Sequence, residues 1–123
     1  MTARPVEPVL RHSQIADGVA ELTLFIPLDL VQCEGHFPGQ PVLPGVVQVD
    51  WAVMLAGRHL GLTVDVAQKL QVKFRRITQP GMTVVLRLQH VAARGRLTFE
   101  YRHEDDILSS GSIALPPTGQ VQT

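Results

Sequence analysis

From Val46 to Gly57 the chain reads VVQVDWAVMLAG, and the only strongly polar side chains in that run are Gln48 and Asp50. Pro44 stands just before it, suited to a first helical position where no N–H is needed. Arg58 and His59 follow, and Gly61 is a natural left-handed stop. A helix over about 44–60 is therefore predicted. One so apolar on every side is normally buried, here wrapped by a sheet. Asp50 is the anomaly: an ionised carboxylate inside an apolar helix persists only if it is paired, hydrogen-bonded or neutral.

The rest of the chain supplies the sheet. Asp17-Gly18 separates two strand-like runs, and Leu22, Leu24 and Ile26 alternate with Thr23 and Phe25, as in a strand packed on one face. After the helix the period becomes two: Leu70, Val72 and Phe74 alternate with Gln71, Lys73 and Arg75. Pro80-Gly81, the AARGR segment and the EDD segment then punctuate three further strands. The predicted order is hairpin, buried helix and four antiparallel strands. That is α+β, with one long helix against a single strongly curved sheet.

Length and composition narrow the function. At 123 residues the chain is expected to form one domain, with a core over about 8–116 and a tail at 117–123. Eleven basic residues balance eleven acidic ones, which argues against nucleic acid held by overall charge. No run reaches the length of a membrane span, and the first residues lack the apolar core of a secretion signal. A lone cysteine, Cys33, rules out an internal disulfide framework, so a cytoplasmic location is expected.

The segment GHFPGQPVLPG, ahead of the helix, sets His36 in a backbone stiffened by prolines and glycines. Neutral imidazole is the usual general base near neutral pH. A buried Asp50 would be held protonated by desolvation, which suits a general acid. Gly45, at the helix start, leaves an N–H open to close approach by a carbonyl, an oxyanion-hole arrangement. Base, acid and carbonyl-polarising donor together describe proton abstraction beside a carbonyl, with loss or gain of a group one carbon away. Each element also has a plainer account. The loop need only connect a strand to a helix, and Asp50 could cap a neighbouring loop or favour the helix dipole near solvent.

GHFPGQPVLPGVVQVD resembles the signature of the β-hydroxyacyl-acyl-carrier-protein dehydratases of fatty acid synthesis, a hotdog-fold family, and VKFRRITQPG is similar to that family's strand and Pro-Gly turn after the helix. VLPGVVQVDWA is also similar to the dehydratase-like proteins of aryl-polyene pigment clusters. The resemblance implies that His36 takes the α-proton of a 3-hydroxyacyl thioester and Asp50 assists departure of the β-hydroxyl. It implies that the Gly45 N–H binds the thioester carbonyl and the Val42 carbonyl oxygen orients the imidazole. It further implies a homodimer with histidine and carboxylate from opposite subunits, an acyl carrier protein as partner, and no metal or organic cofactor beyond the carrier's phosphopantetheine arm. Two departures stand out. Met54 occupies the position where the family usually has a glutamine bonded to the carboxylate, and an aspartate at position 50 resembles the dehydratase-isomerase branch.

Further residues complete the expectation. Phe37, Val46, Trp51 and Met54 are candidates for an acyl tunnel, with ordinary core packing the alternative for Trp51. Lys73, Arg75, Arg76 and Arg58 could form a patch for an acidic carrier, or a solvated strand face. Cys33 and Glu34 lack a second ligand pair at metal spacing. His12, His59, His90 and His103 carry no motif. The function these residues favour is dehydration of 3-hydroxyacyl thioesters on a carrier protein. A hotdog thioesterase and a non-catalytic acyl-carrier-binding subunit, the latter motivated by Met54, are the rivals.

Overall fold

The computed structural model describes residues 7–29, 42–62 and 70–115. Six strands form one curved antiparallel sheet: β1 (Val9–Ala16), β2 (Val19–Phe25), β3 (Leu70–Phe74), β4 (Thr83–Val91), β5 (Arg96–His103) and β6 (Asp106–Ala114). They lie in the order β1-β2-β4-β5-β6-β3, and a single long helix, α1 (Gly45–Leu60), crosses β2 and β4. No helix among the described residues is long and apolar enough to cross a membrane. The proposed flexible tail lies outside the described residues, as does the loop that carries His36.

Local chemistry accounts for the boundaries. Asp17 and Gly18 both take positive φ, 54° and 76°, the combination that lets a two-residue turn follow the strand twist. Glu104-Asp105 turns β5 into β6, so Asp106 belongs to the strand and not to the turn. The helix begins one residue later than predicted. Pro44 is its N-cap, extended at φ −61° and ψ 148°, and among the described residues no side chain caps the first turn. Gly61, at φ 69°, ends it, and the Leu62 N–H reaches back to the Ala56 carbonyl at 3.3 Å.

Register places the core on one face. Leu22, Leu86, Tyr101, Ser109 and Phe74 stand in one row across the sheet; Ala20, Leu88, Phe99, Gly111 and Val72 stand in the next. Onto these rows α1 lays Val47, Gln48, Val49, Trp51, Ala52, Leu55 and Ala56. Its other side is not covered. Val46 is 69% exposed and Asp50 is exposed, which corrects the expectation of a helix enclosed all round with its carboxylate buried. The reason is geometric. Positions 46, 50 and 57 repeat along one helix face, and the sheet contacts only the opposite face.

A bulge near the end of β5 skips Leu108 in the pairing with β6. The freed Leu108 carbonyl accepts the N–H groups of Arg75 and Arg76, at 2.8 and 3.1 Å, where the chain leaves β3. That turns the following residues inward, so Thr78 is buried while Arg75, Arg76 and Ile77 stay exposed.

Tyr101 is wholly buried and donates its hydroxyl to the Gln48 carbonyl oxygen at 2.6 Å. Burial pushes its phenol well above the ordinary value of 10.0. The unfolded chain loses that proton near its ordinary pKa while the native state keeps it, so stability must fall as pH rises past that value. We expect urea midpoints to decline from about pH 9 to about pH 11, and Tyr101→Phe to flatten the decline. Because Tyr101 is the chain's one tyrosine, phenolate absorbance should appear only with unfolding.

Candidate active site

The opening of α1 is held from three sides by one buried amide. Gln48 Nε2 donates to the Leu43 carbonyl at 3.3 Å, and Gln48 Oε1 accepts from Ser109 Oγ at 2.7 Å. Tyr101 meets the same residue's backbone, and Gln48 and Ser109 are 3% and 0% exposed. Leu43 in turn donates its N–H to the Thr78 carbonyl at 2.7 Å. Helix start, preceding turn, β6 and the segment after β3 are thus tied together. Ser109 meets Gln48 because row register puts it between Tyr101 and Phe74 on the inner face.

A cavity of about 360 Å³ opens at this junction, between residues 42–45 with Gln48 on one wall and residues 74–78 on the other. The Gly45 N–H lies at the uncapped start of the helix and has no acceptor among the described residues. Unpaired N–H groups at a helix start carry partial positive charge, so a carbonyl or anion is the favoured occupant. The Phe74 ring packs against this glycine as well. A Cβ on residue 45 would lie 2.9 Å from two ring carbons of Phe74, so the ring closes over the backbone at this point.

The other candidates distribute unevenly. Val42 is half-buried and lines the cavity beside Gly45. His36, Phe37, Cys33 and Glu34 lie outside the described residues. Asp50 is on the outward face of α1, five residues beyond Gly45, and does not border the cavity. Among the tunnel candidates, Trp51 is 3% exposed in the core, Met54 packs against that core, and Val46 faces outward. None of the three lines the cavity at the start of α1.

The basic residues separate into two groups. Arg75 and Arg76 border the cavity, with Arg76 3.6 Å from Asp106. Lys73 alternates with Val72 and Phe74 and so stands on the outer face, in a groove of about 930 Å³ that Arg75 also borders. Arg58 is in the last turn of α1, about 20 Å along the axis from Gly45 at 1.5 Å per residue, and is paired with Glu7 at 3.0 Å. It does not belong to the same patch. Gln48, Ser109, Phe74 and Thr78 were not singled out for this site from sequence. Gln48 alone carried a signal, as the second polar side chain in the apolar run.

The profile of the ApeI-like family, described as ApeI dehydratase, matches residues 12–112. The chain belongs to the ApeI-like dehydratase family. Membership makes it a dehydratase, a lyase, and the helix-on-sheet architecture is the hotdog fold. The 3-hydroxyacyl-[acyl-carrier-protein] dehydratase FabZ of Rickettsia massiliae is 32% identical over 105 residues, covering 79% of this chain and 68% of that protein. The chain spans about half the length of several further Rickettsia FabZ proteins. Among solved structures, a chain of the dehydratase heterocomplex ApeI:P from Xenorhabdus doucetiae superposes with a TM-score of 0.81 at 34% identity. The match covers 90% of this chain and 99% of that one. An uncharacterized protein from Erwinia carotovora subsp. atroseptica gives 0.71 at 36% identity, covering 91% and 98%. The junction around Gln48 is therefore a feature of an ApeI-like dehydratase.

The amide network makes a direct prediction. Gln48→Leu strands the Leu43 carbonyl and the Ser109 hydroxyl in the interior and should cost about 2–3 kcal/mol in urea unfolding. Adding Ser109→Ala should recover part of that loss. A double variant as unstable as the sum of its singles would show that the two side chains do not act together.

Proposed function

We propose that the protein dehydrates 3-hydroxyacyl thioesters carried on the phosphopantetheine arm of an acyl carrier protein, giving the trans-2-enoyl thioester in a fatty-acid or polyene-type lipid pathway. The observation that carries this reading is the uncapped helix start at Gly45 facing a cavity that also holds Val42, in a chain of the ApeI-like family. The FabZ relatives are named as 3-hydroxyacyl-[acyl-carrier-protein] dehydratases, which supports the same substrate class.

In this reading the Gly45 N–H takes the thioester carbonyl and stabilises the negative charge that develops on its oxygen. His36 removes a proton from the α-carbon, its ring oriented by the Val42 carbonyl. The electron pair of that C–H bond forms the Cα–Cβ double bond, the Cβ–O bond breaks, and Asp50 protonates the departing hydroxyl as water. No metal or organic cofactor enters these steps. The exposed face of α1 bearing Val46 and Asp50 supports a dimer in which the carboxylate serves the partner's histidine. Arg75 and Arg76 offer positive charge to the carrier at the cavity. The whole chain acts as a single cytoplasmic domain.

One second reading has its own observation. Met54 cannot make the hydrogen bond that a glutamine would give Asp50, and the Xenorhabdus chain comes from a dehydratase heterocomplex. A subunit that supports a different catalytic chain fits both.

The test is to incubate the protein with a 3-hydroxyacyl carrier protein and read the acyl species by intact mass. Loss of one water is expected for the wild type. His36→Ala and Asp50→Asn should each slow the reaction by a factor on the order of 10² or more. Release of the whole acyl group would mean thioesterase chemistry instead. An unchanged acyl carrier with binding intact would favour the supporting subunit.

A further inference from the structure

Three consecutive peptide units lead into α1, and each is held along one edge. No peptide bond among the described residues is cis, and in a trans unit the carbonyl and the N–H point in opposite directions. In the Val42–Leu43 unit the Leu43 N–H donates to the Thr78 carbonyl at 2.7 Å. That bond aims the Val42 carbonyl away from the 74–78 wall. In the Pro44–Gly45 unit the Pro44 carbonyl accepts from the N–H groups of Val47 and Gln48, at 3.1 and 3.2 Å. Those bonds aim the Gly45 N–H out of the helix start. The unit between them, Leu43–Pro44, has no N–H to give. Its one polar group, the Leu43 carbonyl, is held by a side chain, Gln48 Nε2 at 3.3 Å.

The two outer units carry, on their free edges, the backbone groups assigned to the reaction. The angle between the Val42 carbonyl and the Gly45 N–H depends on the torsions of Leu43 and Pro44. Proline fixes its own φ, and the Gln48 bond restrains the carbonyl that the Leu43 torsions would swing. The amide is aimed in its turn. A carbonyl can only accept, so Nε2 faces Leu43 and Oε1 is left to Ser109 Oγ, which donates to it at 2.7 Å. Among the buried residues of α1, Gln48 alone carries an amide, and an apolar side chain there would pack without help from β6. The turn needs that amide and the helix does not. We infer that Gln48 and Ser109 are positioning residues for dehydration, fixing the angle between the Val42 carbonyl and the Gly45 N–H through the Leu43 carbonyl. The inference rests on the dehydratase reading. A misaimed donor loses charge stabilisation in the transition state while the carrier still binds, so kcat falls and KM holds.

The test is steady-state dehydration of a 3-hydroxyacyl carrier protein, with each variant assayed where circular dichroism shows it folded. Gln48→Met keeps the bulk but cannot bond the Leu43 carbonyl; it should lower kcat about tenfold and change KM less than about twofold. Ser109→Ala, which only loosens the amide, should lower kcat about threefold. Gln48→Glu in its neutral form offers an O–H to Leu43 and a carbonyl oxygen to Ser109. Its kcat relative to the wild type at the same pH should be near one in acid and fall as pH rises and the carboxyl ionises. Ile113→Val, a truncation in the core two rows along the sheet from Ser109, is the destabilised control and should leave kcat unchanged. A wild-type kcat in Gln48→Met, a loss confined to KM, an equal loss in Ile113→Val, or a Gln48→Glu ratio that does not fall with pH would each overturn the assignment while dehydration by the wild type stood. Wild-type protein that leaves the carrier-bound substrate unchanged would remove the dehydratase reading and this inference with it.

Discussion

The amide of Gln48 governs the end of the molecule where chemistry is proposed, because it is a polar group the fold cannot afford to leave unpaired. Its donor holds the turn before the helix and its acceptor holds β6, while Tyr101 reaches the same residue's main chain. Each bond is worth on the order of 1 kcal/mol net, but an interior amide without partners costs more than any one bond returns. The helix therefore has little freedom to slide or rotate on the sheet. The position of the Gly45 N–H follows from that restriction. A carbonyl-polarising donor is useful only if it already points where charge will develop.

The same end of the fold depends on a second irregularity. Without the bulge at Leu108, β3 would continue as a plain edge strand, and Arg75 and Arg76 would lack the carbonyl that turns them out of the sheet. That turn brings Ile77 and Thr78 against the helix start and makes the second wall of the cavity. Phe74, at the last rung of β3, then packs on Gly45, and a Cβ there would have to push that half-exposed ring aside.

Much of the architecture was legible in the residues. Period-two alternation located β2, β4 and β5, the Asp-Gly pair located the first turn, and Arg58, His59 and Gly61 marked the helix end. The enclosure of α1 was not legible. Val46 and Val47 are chemically identical, yet one is 69% exposed and the other packs on the sheet. Hydrophobicity along the helix does not say which of its faces the sheet will cover, so Asp50 looked interior when the sheet leaves it outside. Thr78 and Ser109 gave no signal for a different reason. Their importance arises from cross-strand register and a bulge, which bring Ser109 to Gln48 and the Thr78 carbonyl to Leu43 at the distant helix start.

Strand order has a consequence for how the chain assembles. The β4-β5-β6 meander is built from neighbours in sequence, whereas β2 joins β4 across about sixty residues that include the helix and the whole motif loop. Closing so long a loop adds only logarithmically to the entropic cost, but that cost precedes any cross-strand contact that could offset it. Such non-local pairing is expected to slow folding whatever the stability of the core. The helix start at Gly45 lies in sequence between the two partners of that long-range pairing, so its seat on the sheet needs β2 and β4 to be paired.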